Sequence, residues 1–259
     1  MPTSFRVNYD KLAPTFDARY TPGLYDGVVR TLRAFVLGKR PEIVLEAGCG
    51  TGYWLSALRD LLPRMYGVDY SHEMLRKAGN RNLGAGVVRA TAELLPFRSG
   101  TVDLIFCVNA LHHFERLDEF VAQARRVLRR GGTLAAIGMD PHHGRDHWCI
   151  YDYFPEAKQA DLIRYPSSGQ VTDAMLRAGF DRVECRVADR LAQTRVGRAV
   201  LEDPELQRKG CSQMALLTDE QYAAGIERIK STLLLSESRE PPTFGANIAM
   251  MMCCGYVED

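Results

Sequence analysis

The hydrophobic pattern of the chain becomes regular from residue 43 onward. Short apolar runs typical of strands occur at residues 43–46, 65–69, 86–89, 102–109 and 133–139. Between several of them, apolar residues recur at helical spacing, at residues 52–62, 71–78 and 117–130. Strands that alternate with helices of this length predict a parallel sheet with helices on both faces.

The flanking segments predict further elements. Residues 9–37, interrupted by Pro14 and Pro22, predict two short helices before the first strand. After the fifth strand the pattern predicts a helix, a sixth strand, a long helical segment without strand alternation and a last strand, at residues 169–178, 180–187, 190–236 and 247–256.

The turn after the first strand carries the most specific chemistry. The strand ends in the acidic Glu46, and glycines then occupy every second position, at Gly48, Gly50 and Gly52. Such glycines let the backbone turn sharply, approach a bound nucleoside and enter a helix. The dinucleotide-binding motif Gly-x-Gly-x-x-Gly would need its third glycine at position 53, where this chain has Tyr53. In addition, an acidic residue such as Glu46 repels phosphate and attracts an amine. NAD is therefore not expected, whereas S-adenosylmethionine has an amine and no phosphate.

Glu-x-Gly-x-Gly-x-Gly on a strand-to-helix turn resembles the first motif of the class I S-adenosylmethionine-dependent methyltransferases. Segments 90–97, 102–109 and 126–134 resemble later motifs of that family, in the same order. The resemblance implies S-adenosylmethionine as cofactor, S-adenosylhomocysteine as product, and cofactor contacts from Glu46, Gly48, Gly50, Gly52, Thr91, Ala92, Glu93 and Asn109. Thr91 stands where the family usually has Asp, which puts one adenine contact in doubt.

Asp69 ends the second strand, 17 residues beyond Gly52. At that place in a doubly wound sheet a carboxylate faces the ligand crevice and can accept both hydroxyls of a ribose. A helix cap before Ser71 is the alternative reading.

Within the class, the chain resembles small-molecule methyltransferases of ubiquinone and menaquinone biosynthesis. Segments 9–14, 16–20 and 110–114 carry this resemblance. It implies that N-terminal helices within residues 1–40 form a lid, with Tyr20 on the cofactor and Tyr9 beside the acceptor. Ordinary helix packing of these tyrosines remains the alternative.

The fold expected from these features is α/β, a single domain over residues 1–259. We predict a doubly wound, Rossmann-like sheet of seven strands, mostly parallel, with the last strand antiparallel. A helical cap at residues 190–236 is inserted before that strand.

Methyl transfer from a sulfonium mainly requires alignment, and a base is needed only when the acceptor must lose a proton. His112 and His113 follow the fourth strand, and Asp140 ends the fifth. A histidine oriented by this carboxylate is the candidate base, and structural roles for the histidines are the alternative. The aromatic segment 139–155 predicts acceptor contacts from Trp148 and Tyr151.

A metal site is not expected. His142, His143, His147 and Cys149 lie close together in sequence. They lack the separated ligand pairs of ordinary zinc sites.

The composition of the chain limits the kinds of binding partner that we expect. The chain has 259 residues, 46% of them hydrophobic, and a formal net charge of +1, which gives no general attraction to nucleic acid or anionic lipid. Neither a secretory signal nor a membrane-spanning run is recognised, and seven cysteines without a Cys-x-x-Cys pair suit a reducing compartment, so we expect the cytoplasm. A small-molecule acceptor is therefore predicted, without nucleic acid or membrane. The rivals are an RNA or protein methyltransferase and a non-catalytic module that binds the cofactor.

Overall fold

The computed structural model describes residues 7–62, 64–81, 84–236 and 240–258. Three helical segments precede the sheet: α1 (Tyr9–Leu12), a 3₁₀ turn (Phe16–Arg19) and α2 (Asp26–Lys39). The predicted lid segment 1–40 therefore holds two helices and a turn, and its residues 1–6 lie outside the described residues.

The first half of the domain alternates strands and helices, as predicted. Its elements are β1 (Ile43–Ala47), α3 (Tyr53–Leu58), β2 (Arg64–Asp69), α4 (His72–Asn80), β3 (Gly86–Arg89), β4 (Val102–Val108), a 3₁₀ turn (Leu111–His113), α5 (Leu117–Val127) and β5 (Leu128–Met139).

The second half contains more helix. Its elements are a 3₁₀ turn (Pro141–His143), β6 (His147–Trp148), α6 (Cys149–Tyr153), α7 (Pro155–Arg164), α8 (Ser168–Arg177), β7 (Arg182–Val196), a 3₁₀ segment (Gly197–Glu202), α9 (Ser212–Leu216), α10 (Asp219–Leu235) and β8 (Thr243–Tyr256).

The strands form one sheet in which β3, β2, β1, β4, β5 and β8 are consecutive neighbours. Pairing is parallel from β3 to β5, and β8 is antiparallel both to β5 and to β7 on its other edge. The predicted doubly wound, mostly parallel sheet with an antiparallel last strand is confirmed. The additional strand β6 pairs only through His147 and Trp148, too short a stretch to produce a periodic signal.

Burial on both faces explains why β4 is apolar at every position except Asp103. All seven of its residues are buried. Phe106 and Val108 join the core on the face that also holds Leu32 and Val36 of α2, whereas Ile105 and Cys107 face the core that includes α5. A central parallel strand needs this cover on both sides.

Two predicted boundaries are wrong. The helix expected over 117–130 ends at Val127, because Leu128 already pairs with Val102 in the sheet. The helix expected from Arg190 begins later, because β7 continues to Val196 against β8. As an edge strand, β7 is mostly exposed or half-buried, so it lacks the apolar alternation that marks a strand.

Beyond Val196, the predicted cap segment 190–236 contains the 3₁₀ segment, α9 and α10. Over the described part of the chain, no helix has both the length and the apolarity needed to cross a bilayer.

The packing of α10 on α6 can be tested at Gly225. A Cβ there would lie 2.0 Å from Cε1 of Phe154, a side chain with no exposed surface. We expect Gly225→Ala to lower the free energy of unfolding by about 1–3 kcal/mol through overpacking. The control is Gly79→Ala in α4, where a Cβ meets nothing within 4 Å and the helix gains up to about 1 kcal/mol. Urea denaturation compares the two, and equal stabilities would contradict this packing.

Candidate functional site

A cavity of about 800 Å³ lies where the carboxyl ends of β1, β2, β3 and β4 meet. Its wall comes from the N-terminal segment, the loops that follow these four strands and the end of α7. The volume falls within the range of about 300–1,000 Å³ that is usual for small-molecule sites. The strand order reverses between β1 and β4, which is where ligands bind in doubly wound sheets.

The glycine turn forms one wall of this cavity. Gly48, Gly50 and Gly52 have φ angles of 72°, 52° and 76°, a region that favours glycine. At Gly48 an added Cβ would lie 2.7 Å from Cβ of Ala110. Gly48 and Gly50 line the cavity, whereas Gly52 caps α3 outside it.

Asp69 ties the glycine turn to the end of β2. Its Oδ2 accepts a hydrogen bond from the Gly50 N–H and its Oδ1 from the Ser71 N–H, both at 2.8 Å. Burial raises the pKa of Asp69, and these two N–H donors partly offset the effect. Ser71 itself caps α4 by accepting from Met74 N–H, so the cap does not depend on the Asp69 side chain.

Glu46 is fully buried and does not line the cavity. Neither of its carboxylate oxygens has a hydrogen-bond partner within the described ranges. Burial, and secondly the charge of Asp69, raise its pKa well above the usual range.

The other predicted cofactor residues line the same cavity: Tyr20, Thr91, Ala92, Glu93 and Asn109. Glu93 joins two loops, because its Oε1 accepts from the backbone N–H of Glu115 at 2.8 Å. Asn109 adopts a left-handed conformation, with φ of 50°, and its N–H donates to the Ile137 carbonyl at 2.8 Å. The turn after β4 is thereby held at the cavity.

Two aspartates attach the N-terminal segment to the loops that follow β1 and β2. Asp10 accepts from the Ser71 hydroxyl at 2.6 Å and the Glu73 N–H at 3.1 Å. Asp17 accepts from the Thr51 hydroxyl at 2.6 Å. The Tyr20 ring stacks on Tyr53, with centroids 3.7 Å apart, and both predicted tyrosines, Tyr9 and Tyr20, line the cavity.

His112 and His113 line the cavity beside Tyr9. The Tyr9 hydroxyl is hydrogen-bonded to Nε2 of His113, and the His112 ring stacks on Tyr165 with centroids 3.8 Å apart. Burial lowers the pKa of both imidazoles well below the usual value, and the nearby charge of Arg164 contributes to both shifts. Both rings are therefore neutral near pH 7, and a low pKa makes them weak bases.

Asp140 does not orient either histidine. Its carboxylate accepts from the backbone N–H of His142 at 3.0 Å and of Ser168 at 2.7 Å, and it is not part of the cavity wall. The predicted pairing of Asp140 with His112 or His113 is therefore wrong, because the turn after β5 and the start of α8 hold the carboxylate outside the cavity wall, where the nearby imidazole is that of His143, with Nε2 at 3.6 Å.

Trp148 and Tyr151 also lie away from the large cavity. Trp148 is buried and lines a separate cavity of about 30 Å³, and the Tyr151 hydroxyl donates to Asp161 at 2.7 Å. The pairing of β6 with β8 turns this aromatic segment into the core.

Three cationic residues of the cavity were missed by sequence analysis, Arg19, Arg89 and Arg164. Arg19 lies within the segment 16–20 already singled out. Arg164 stands three residues after Asp161 near a helix end, and this spacing was the only available signal. Arginines at helix ends are ordinarily solvent-exposed, so the spacing alone does not mark a site.

The histidines of the segment 139–155 have protein partners. His142 Nε2 lies 2.9 Å from the Tyr165 carbonyl, and His147 Nε2 lies 3.1 Å from Asp152. Over the residues that the structure describes, no group of three or more His, Cys, Asp or Glu side chains is arranged to hold a metal ion.

Comparison with known proteins shows which proteins the chain resembles. Residues 45–136 match a family model described as a methyltransferase domain. A malonyl-[acyl-carrier protein] O-methyltransferase of Geobacter sulfurreducens is 32% identical over 160 residues, which are 58% of this chain and 60% of that protein. The chain thus spans about three fifths of the length of this relative.

Solved structures agree on the fold. A putative methyltransferase from an antibiotic biosynthesis pathway of Anabaena variabilis superposes with a TM-score of 0.68 and 21% identity, over 88% of this chain and 96% of that one. Phosphoethanolamine N-methyltransferase 2 of Haemonchus contortus, in complex with S-adenosyl-L-methionine, gives a TM-score of 0.63 and 18% identity, over 99% of this chain and 60% of that one. Residues 45–136 thus resemble a methyltransferase domain, the chain shares the fold of these solved structures, and the predicted resemblance to class I methyltransferases is confirmed.

The neutral state of the two histidines can be measured by NMR titration of their ring protons. We expect midpoints well below pH 6.5 for His112 and His113, because burial favours the uncharged imidazole. In the unfolded chain both rings take up protons near pH 6.5, so their contribution to the free energy of unfolding falls as the pH drops below that value. The double variant His112→Gln/His113→Gln should lose less stability between pH 7 and pH 5. Midpoints at or above pH 6.5 would contradict the described burial.

Proposed function

We propose that this protein transfers a methyl group from S-adenosylmethionine to a small molecule. One observation carries the proposal: a single cavity at the switch point of the sheet joins the glycine turn and Asp69 to Tyr9, His112 and His113. The cavity therefore has one end suited to a nucleoside and another suited to an acceptor.

The residues of the nucleoside end fit this cofactor. Each oxygen of Asp69 accepts one N–H and keeps a lone pair for a ribose hydroxyl. Thr91 and Glu93 stand where the adenine would lie, and the Thr91 hydroxyl can accept from its amine. The carboxyl group of Asp69 in the cavity wall favours a ligand with an amine over one with a pyrophosphate.

The chain's own residues supply alignment. When bound, the cofactor provides an activated methyl group on a positively charged sulfur. The rigid turn at Gly48 and Asn109 fixes its position, while Tyr9 and His113 limit the direction from which an acceptor approaches. Holding two reactants in near-attack geometry lowers the barrier by several kcal/mol.

The segment 7–20 forms the lid in this proposal. Asp10 and Asp17 fasten it to the loops that would hold the cofactor, so cofactor binding and closure support each other. Closure would exclude water and leave room for a small acceptor rather than a folded macromolecule. The near-neutral charge also favours a small molecule over nucleic acid.

The branch related to ubiquinone and menaquinone biosynthesis stays a prediction, and we propose a cytoplasmic location because all seven cysteines are free thiols. A non-catalytic cofactor-binding module would share the same cavity. Release of S-adenosylhomocysteine in the presence of an acceptor panel distinguishes an enzyme from such a module.

Binding of the nucleoside can be tested at Asp69. We expect Asp69→Ala to weaken the affinity for S-adenosylhomocysteine by about 1–3 kcal/mol, because ribose hydroxyls lose their acceptor. Isothermal calorimetry measures the change, and Asp118→Ala at an exposed ion pair with Arg177 is the control. Unchanged affinity would refute the role of Asp69, and tight binding of NADH without S-adenosylhomocysteine would refute the proposed function.

Closure of the lid can be tested with Asp10→Ala/Asp17→Ala. Loss of the hydrogen bonds to Ser71 and Thr51 should release the segment 7–20, at about 0.5–1.5 kcal/mol for each bond. We expect faster proteolytic cleavage within this segment and weaker protection by S-adenosylhomocysteine than in the wild type or Asp118→Ala. Identical cleavage rates would show that these contacts do not hold the lid.

A further inference from the structure

Arg164, the last residue of α7, is a buried cation in the cavity wall. Its side chain is 4% exposed. Its Nε and Nη2 donate to Asp161 Oδ1 at 2.9 and 2.7 Å, and Nη2 also donates to Ser212 Oγ at 2.8 Å. These donors belong to one edge of the planar guanidinium. Nη1, the remaining nitrogen, is buried and has no hydrogen-bond partner in the described segments.

Residues outside the cavity wall hold the Arg164 side chain in place. Asp161 has no exposed surface, and it also accepts hydrogen bonds from the Tyr151 hydroxyl and Gln213 Nε2, both at 2.7 Å. Neither Asp161 nor Ser212 lines the large cavity, whereas Arg164 does. Buried polar groups in proteins almost always have partners, so an unsatisfied nitrogen on a fixed side chain beside a cavity points to a ligand acceptor.

The surroundings of Arg164 favour an anion. Tyr9 and His113 are neutral, since burial raises the pKa of Tyr9 to about 12 and lowers that of His113. Arg19 and Arg89 add positive charges to the same wall, and the charge of Arg19 is partly balanced by the nearby Glu205. Four carboxyl groups of the described residues also line the wall; those of Asp10, Asp69 and Glu93 already accept hydrogen bonds from the protein, and the fourth is Glu115.

We propose that Arg164 binds a carboxylate of the methyl acceptor, so that the acceptor is a small organic acid methylated on a carboxylate oxygen. This inference rests on the proposed function. One oxygen of the carboxylate accepts from Nη1, a charge-assisted and geometrically specific contact. The other attacks the methyl carbon: a carbon–oxygen bond forms, the carbon–sulfur bond breaks, and its electron pair stays on sulfur. The products are a methyl ester and neutral S-adenosylhomocysteine.

This acceptor explains why the site contains no strong base. A carboxylic acid is already ionised near neutral pH, so no proton has to be removed before the attack. The neutral histidines then position the acceptor and exclude water. They need no carboxylate partner, because they do not have to remove a proton.

Cofactor and acceptor are two possible sources of a carboxylate, and binding measurements separate them. The probes are S-adenosylhomocysteine, which has an amino-acid carboxylate, and 5′-methylthioadenosine, which lacks it. For the acceptor, octanoate, phenylacetate and monoethyl malonate are compared with their uncharged amides, each with S-adenosylhomocysteine present. The variants are Arg164→Gln and Arg164→Lys, and Arg177→Gln at an exposed ion pair is the control.

We expect at least one carboxylate to bind wild type more tightly than its amide, and Arg164→Gln to weaken that carboxylate about 10- to 100-fold. Arg164→Lys should retain part of the affinity, and both variants should bind S-adenosylhomocysteine as wild type does, which also reports that they are folded. Weaker binding of S-adenosylhomocysteine but not of 5′-methylthioadenosine would assign Arg164 to the cofactor and overturn the proposal. A panel in which no carboxylate exceeds its amide would overturn it as well.

A second measurement uses the product. With S-adenosylmethionine labelled in its methyl group, a methyl ester releases volatile labelled methanol in alkali, whereas N- and C-methyl products do not. Base-stable label in the product would refute carboxylate methylation while leaving methyl transfer intact. If wild type does not bind S-adenosylhomocysteine at all, it is the proposed function that fails.

Discussion

The site depends on the way Asp69 holds the glycine turn. One carboxylate at the end of β2 accepts N–H donors from Gly50 in the turn and from Ser71 at the start of α4. The ends of β1 and β2 are neighbours in a parallel pair, so this contact fixes two loops relative to the sheet. Burying a carboxylate is costly unless it is hydrogen-bonded, and the two N–H donors make the arrangement stable before any ligand binds.

The parts of the molecule that follow local rules were predictable from the sequence. Glycines that require positive φ, the acidic ends of β1 and β2, and apolar strands such as β4 all carry signals in a few consecutive residues. These signals placed Gly48, Asp69 and Asn109 on the correct loops. Most residues predicted to contact the cofactor therefore line the cavity, whereas Glu46 and Gly52 do not.

The part of the cavity proposed to hold the acceptor was not predictable in this way, because it is formed by contacts between distant segments. Asp140 looked like a partner for a histidine, yet its oxygens are used by Ser168, which no spacing rule connects to it. Arg164 is held in place by a direct hydrogen bond to Ser212 and by Asp161, which in turn accepts a hydrogen bond from Gln213. Similarly, β7 is recognisable as a long strand only once β8 is beside it.

The position of β8 has a consequence for the order of assembly. It is the last strand in sequence, yet it lies between β5 and β7. Arg182 pairs with Tyr256 and Val196 with Thr243, contacts between residues far apart along the chain that form slowly. Until β8 inserts, both β5 and β7 present open edges with unpaired N–H and C=O groups, which are templates for pairing with other chains. A nascent or truncated chain without β8 is therefore prone to aggregate even though strands β1 to β4 are already present.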